Sequence, residues 1–197
     1  RRQRQMCIRD SSNIVGSLLV LGLPMGMYSI FLEQERNKSE KLLHNIMPKS
    51  IAEKLKNNIK TISMDNPEIS VLFADIVSFT EMSEKISSEK IVGFLNDMFS
   101  QFDDLTETYG VEKIKTIGDS YMVVSGMPVQ REDHALTLFN LAKEMIKISA
   151  QFKDHNGNSI KLRIGINSGP AISGVIGKSK FAFDVWGDTI NTAARLE

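Results

Sequence analysis

Two aspartates stand where a carboxylate is costly unless something answers it. Asp75 lies near the end of the apolar run Ile69–Val77, and Asp119 sits in the tight turn Ile117-Gly118-Asp119-Ser120. A carboxylate at the end of a buried strand costs several kcal/mol or takes up a proton unless it is paired. A divalent cation is one such partner, since Mg²⁺ or Mn²⁺ is commonly held by one or two carboxylates together with substrate phosphates. A pair of metals can clamp both the attacking and the leaving oxygens of an in-line displacement at phosphorus. Taken singly, Asp119 also reads as an ordinary turn aspartate and Asp75 as a helix N-terminal aspartate facing Ser78–Glu81. Ile76 to Thr80 follows Asp75 and opens a helix, so the backbone N–H groups of this stretch, through Phe79 and Thr80, are placed to receive a triphosphate.

Other chemistries are excluded. No Gly-x-x-x-x-Gly-Lys-Ser/Thr occurs, so this is not a P-loop. The single cysteine, Cys7, can form no intramolecular disulfide, and no zinc-ligand spacing is present. Lys plus Arg and Asp plus Glu balance at 24 each, so the overall charge gives no reason to expect a nucleic-acid partner. His44, His134 and His155 have no partner in the sequence and are assigned no role.

The elements that must position the aspartates follow from periodicity. Ile69–Val77 is a continuous apolar run of strand length, as in a strand covered on both faces. Ser78–Tyr109 reads as helical, with Ile91, Phe94, Leu95, Met98, Phe99 and Phe102 at spacings of three and four, and Gly110 stops it. Val111–Thr116 and Tyr121–Ser125 form a hairpin around the Gly118-Asp119 turn. Arg131–Phe152 is a second amphipathic helix, ended by Asn156, Gly157 and Asn158. Ile160–Asn167 is a strand, Ala171–Ile176 another after Gly169-Pro170, and a helix begins at Thr189. Thr61–Pro67 reads as a polar boundary. The order β, α, β, β, α, β predicts an α+β, ferredoxin-like βαββαβ sandwich with its helices on one face.

What precedes this domain is different. Arg1–Asp10 is basic and aperiodic, either native or a foreign leader, and residues 1–13 carry no fold expectation. Ile14–Leu32 has no ionisable side chain, apart from the phenol of Tyr28, and a helix of that length nearly crosses a ~30 Å hydrocarbon core. We read it as a transmembrane helix; the alternatives are a signal peptide, against which its length and the lack of a small-x-small cleavage site speak, and a buried core helix. Residues 33–66 form a charged connector with Leu42, Leu43, Ile46, Met47, Ile51 and Leu55 at helical spacing, divided by Pro48. Its stripe either packs on its own domain or joins a second copy as a parallel signalling helix.

Four motifs then fall in order. They are Phe73-Ala-Asp75-Ile-Val-Ser-Phe-Thr80, Lys113-Ile-Lys115-Thr-Ile-Gly-Asp119-Ser-Tyr-Met, Gly165-Ile-Asn-Ser-Gly169 and Phe183-Asp184-Val-Trp-Gly-Asp188-Thr-Ile-Asn191-Thr-Ala-Ala-Arg195. Together they resemble the class III nucleotidyl cyclase catalytic domain over residues 67–197. The segment Leu43-x-x-x-Met47-Pro48 resembles the transducing helix that precedes such domains in membrane-bound cyclases.

The resemblance implies a set of roles. Asp75 and Asp119, with the backbone carbonyl of Ile76, hold two Mg²⁺ (or Mn²⁺) ions per active site. Lys115 and Asp184 read the purine edge; lysine donating to ring N1 and carboxylate accepting from the exocyclic amino group fit adenine, so the substrate is ATP. Asn191 orients the ribose and Arg195 stabilises charge on the α-phosphate. Read without the motifs, Lys115 is a solvated strand lysine alternating with Lys113, Asp184 a loop aspartate and Arg195 a surface arginine. The resemblance also implies a homodimer with composite active sites. The expected activity is that of a membrane-anchored adenylate cyclase acting in intracellular signal transduction, with its catalytic domain in the cytoplasm, although positive-inside counting of Arg1–Arg9 points the other way. The alternatives are a guanylate cyclase and a non-catalytic dimerisation or nucleotide-sensing module. Domains of this kind continue beyond the helix bearing Arg195 and carry a further lysine that contacts the triphosphate, so this sequence reads as part of a longer chain.

Overall fold

A computed structural model describes residues 28, 30–40, 47–56, 62–177 and 180–197. The chain divides into two compact units, Arg1–Ile46 and Met47–Glu197. In the first, residues 30–40 form helix α1, with Arg36 paired to Glu40 one turn on. Apart from Tyr28 and residues 30–32, the predicted span Ile14–Leu32 lies outside the described residues. Among the described residues no helix is long and apolar enough to cross a membrane.

The second unit runs α2 (Lys49–Lys56), β1 (Ile62–Ile76), α3 (Phe79–Lys85), α4 (Ser88–Tyr109), β2 (Glu112–Ile117), β3 (Ser120–Ser125), α5 (His134–Ser149), β4 (Leu162–Ile176), β5 (Ala182–Trp186) and α6 (Asp188–Leu196). The strands form one sheet in the order β2-β3-β1-β4-β5, with every neighbouring pair antiparallel. Its first four strands have the βαββαβ arrangement expected from the sequence. Side chains alternate across it. Leu72, Ala74 and Ile76 of β1 and Tyr121 and Val123 of β3 pack on Met98, Phe102, Leu138, Leu141 and Met145 of α4 and α5. Buried Tyr121 donates to Asp103 of α4, which also receives Lys113 at 2.6 and 2.8 Å, so the β2–β3 hairpin is tied to that helix. Burial and the Asp103 carboxylate both push the Tyr121 phenol above its ordinary value, so it stays a donor.

Several expectations need correction. Thr61–Pro67 is not a boundary, because Ile62–Asn66 already pairs with β4. The ladder is interrupted between Asn66 and Ile69, where Pro67 has no N–H to offer. The Asn66 amide fills the gap, donating to Met64 O, Ala171 O and Ser173 Oγ. The two strands read on either side of Gly169-Pro170 are one strand, β4. Ser78–Tyr109 is two helices, and β5 was not foreseen. Helices cover both faces of the sheet rather than one. Gly165, which alternates with the core-facing Ile164 and Ile166, lies directly against the end of α6. The connector helix α2 starts after Pro48, whose carbonyl accepts from Ile51 and Ala52. Met47, Ile51 and Ala52 are buried within this unit, the first of the two readings offered for their stripe; Leu42, Leu43 and Ile46 lie outside the described residues. Across the sheet, Ser63, Gly174 and Asp184 fall in one row.

A Cβ at Gly165 would stand 2.2 Å from the Ala193 carbonyl and 2.7 Å from the Glu197 nitrogen. Gly165→Ala is therefore expected to push α6 off β4 and lower stability by about 1–3 kcal/mol. Gly93→Ala, with nothing within 4 Å of the new carbon, is expected to be neutral or mildly stabilising. Urea unfolding midpoints of the two variants check this.

Candidate active site

The first cluster gathers at the end of the central strand. Asp75 is the penultimate residue of β1, and its register partner on β4 is Arg163. The Arg163 guanidinium donates to the Asp75 carboxylate, with Asp75 mostly covered and Arg163 more than half exposed. Asp119 arrives on the β2–β3 turn, where Gly118 has φ 63 and Asp119 does not have positive φ, the pattern of a II′ hairpin. Burial raises the Asp119 carboxyl above its ordinary value; the Asp75 charge and hydrogen bonding to the Asp75 carboxyl raise it further. Its own N–H and that of Ile76 act the other way. Ser120 donates to Glu197 at 3.2 Å, bringing a third carboxylate to the neighbourhood.

These residues fit a divalent cation. Two carboxylates are held against each other by opposite ends of two strands, and the Asp75 charge disfavours ionisation of Asp119. That electrostatic cost disappears when a cation lies between them. Among the described residues no group of three or more His, Cys, Asp or Glu side chains forms a metal cage. A carboxylate pair alone suits an ion whose remaining ligands come from substrate and water.

The second cluster joins β2 to β5. Lys115 Nζ lies 2.5 Å from Asp184 Oδ2, and Asp184 Oδ1 accepts from the Val185 N–H at 2.9 Å. A bulge between Lys113 and Lys115 explains the aim. Lys113 is level with Val123 and points to Asp103 and the Tyr121 ring, whereas Lys115 is level with Met122 on the other face. Without the bulge both lysines would share a face. Glu112, level with Val124, shares the Lys115 face, and burial pushes its carboxyl up to about 7.

Asn191 and Arg195 sit one turn apart on the exposed side of α6, whose other side buries Thr189, Ile190 and Ala193. Arg195 makes only exposed contacts, to Thr192 at 3.1 Å and Asp188 at 3.5 Å. The N–H row expected from Ile76 to Thr80 is partly spent. The Ile76 N–H serves Asp119 and that of Val77 donates to Lys161 O. Phe79 packs its ring on the core, and α3 is short. Ser78–Thr80 alone remain of the expected anion cradle.

Asp75, Ile76 and Asp119 thus come together, as do Lys115 and Asp184, while Asn191 and Arg195 face outward. Residues 62–197 match the family described as the adenylate and guanylate cyclase catalytic domain. The chain belongs to this family. The chain is 48% identical over 167 residues to an adenylate cyclase of Mycobacterium tuberculosis, a match that spans 84% of this chain and 38% of that relative. It is 41% identical over 169 residues to the receptor-type guanylate cyclase Gyc76C of Drosophila melanogaster, across 83% of this chain and 11% of that one. Among solved structures it resembles the catalytic core of a rhodopsin-guanylyl cyclase with converted specificity in complex with ATPαS. That likeness has TM-score 0.64 and 39% identity, over 68% of this chain and 72% of the other. The chain therefore spans less than two fifths of the curated relatives it matches.

Arg163 and Glu197 were missed by sequence reasoning. Arg163 looked like the polar member of an alternating strand, and only its antiparallel register with Asp75 reveals its position. Glu197 is brought in by the contact of α6 with Gly165, which leaves no periodic signal.

Because the folded-state value of Asp119 is raised, the folded protein keeps a proton there that the unfolded chain has lost. The associated stability is present below the ordinary value of 3.8 and is lost as pH rises through the raised one. Asp119→Asn should therefore melt higher than wild type at neutral pH without metal. Adding Mn²⁺ should raise the melting temperature of wild type and not of the variant, as read by differential scanning calorimetry.

Proposed function

We propose that the domain converts ATP to 3′,5′-cyclic AMP and pyrophosphate. The Lys115–Asp184 pair carries this reading. It sets an N–H donor beside an acceptor, the complement of the adenine N1 and amino group; guanine presents the reverse pattern at those positions. Until a base separates them, the two side chains satisfy each other.

Asp75 and Asp119, with the Ile76 backbone, hold the divalent ions. When bound, two Mg²⁺ or Mn²⁺ activate the attacking hydroxyl and neutralise charge on the leaving group. Asn191 orients the ribose so that the 3′-oxygen lies in line with the α-phosphorus. The O3′–P bond forms as the bond to the bridging oxygen breaks, the hydroxyl proton is lost and pyrophosphate departs. Arg195 meets the charge that develops on the α-phosphate, a contribution on the order of 10²–10³ in rate. The N–H groups of Ser78, Phe79 and Thr80 face the phosphate end.

A second copy completes the site in this reading. Asp184 shares one face of the β4–β5 hairpin with Ile172, Ile176 and Trp186, and these three are between 37% and 55% exposed. An exposed apolar face around a functional carboxylate suits an interface. A homodimer built on it would pair Asp75 and Asp119 of one chain with Lys115, Asp184, Asn191 and Arg195 of the other. The apolar stretch 14–32 anchors the protein in a membrane, with the chain from 33 to 61 as connector and the cyclase domain on the cytoplasmic side.

In full-length protein with Mn²⁺, wild type is expected to make cyclic AMP from ATP, and Lys115→Glu with Asp184→Cys to shift preference toward GTP. Nucleotide binding without product, or unchanged ATP preference in the variant, would overturn the assignment. For the shared site, mixing inactive Asp75→Ala chains with inactive Arg195→Ala chains should restore activity through one intact site per heterodimer. Heterodimers without activity would rule the composite site out.

A further inference from the structure

Arg163 and a metal ion have competing claims on one carboxylate. The guanidinium donates to Asp75, and Asp75 is the residue a cation needs. If nothing else received the arginine, metal binding would have to strip it of its partner. The structure supplies another acceptor. Arg163 and Gly165 occupy the same face of β4, two residues apart, and the end of α6 rests on Gly165 so closely that a single added carbon would collide with it. That contact sets the position of Glu197 against β4. Its carboxylate is held on the other side by the Ser120 hydroxyl, next to Asp119. Glu197 is thus built in from two directions, and Arg163, Asp75 and Asp119 all lie within its electrostatic reach.

We infer that Glu197 is a positioning residue which takes over the Arg163 guanidinium when a divalent cation occupies Asp75 and Asp119. This rests on the metal reading of those two aspartates and adds to it a handover of the arginine. Arg163 then stays beside the carboxylate pair instead of swinging into solvent, so the corner keeps its positive charge toward phosphate while Asp75 is released. The backbone needs no rearrangement, since both acceptors already lie beside the guanidinium's strand.

The test is a double-mutant cycle on Mn²⁺ affinity of the full-length, nucleotide-free protein, measured by electron paramagnetic resonance of free Mn²⁺. Glu197→Gln keeps the shape and an acceptor for Ser120 while removing the charge. It is expected to weaken Mn²⁺ binding roughly fivefold, because Arg163 then holds Asp75 without competition. In an Arg163→Ala background the same change should have no effect, and Arg163→Ala alone should bind Mn²⁺ at least as well as wild type. Equal weakening in both backgrounds would mean that Glu197 acts on the cation directly, and no weakening in either would mean that it does not take part; both overturn the handover. Failure of the metal reading itself looks different: wild type would then show no Mn²⁺ site that Asp75→Asn removes. Circular dichroism melts of Glu197→Gln at wild-type temperature confirm that any change in affinity is not a folding defect.

Discussion

The domain is built around an unfavourable meeting of like charges. Asp75 lies one residue from the end of the central strand and Asp119 turns the neighbouring hairpin, and the sheet brings them together although the Asp75 charge disfavours ionisation of Asp119. Such a pair survives only because the surrounding packing over-determines it. Tyr121 and Lys113 pin the hairpin to α4 through Asp103, and β1 is paired on both sides from Ser70 to Ala74, up to the aspartate. The stability that holds the carboxylates in place comes from the core on the helix face, well away from the chemistry. On the proposed reading a cation completes a geometry that folding has already set.

Much of this was legible from periodicity and spacing. The apolar run ending near Asp75, the hairpin with Gly118 at its left-handed position and the two long helices are local signals, and all are found, the first helix split in two. The failures are non-local. Pro67 marked a boundary in sequence, yet Asn66 supplies the missing donor and lets β1 begin earlier. Gly169-Pro170 looked like a break, but β4 continues through it with partners on both sides. The bulge that turns Lys115 away from Lys113 depends on the pairing with β3 and cannot be read from alternation alone. Arg163 and Glu197 owe their importance to which strand or helix lies opposite, and one-dimensional pattern holds no record of that. Of the site residues, the two clusters were foreseen as sets, while the N–H row after Asp75 was over-counted because its first members serve the sheet and Asp119.

Helix α6 has two duties on opposite sides. Its buried side meets β4 at Gly165, and its exposed side carries Asn191 and Arg195. The same three turns therefore link the carboxylate corner of the chain to the two residues assigned to ribose and α-phosphate. In a dimer with shared sites these belong to different nucleotides, so one short helix would feel the occupancy of both.

The row Ser63, Gly174, Asp184 has a mechanical meaning. The first residues of β1 are hydrogen-bonded to β4, and β4 in turn to the strand that carries Asp184. Ile62–Asn66 is thus a splint on the Asp184 side of the sheet, remote from the Asp75 end of the same strand. Tension applied upstream of Ile62 is borne first by the pairing of Ile62–Asn66 with β4, one strand away from Asp184.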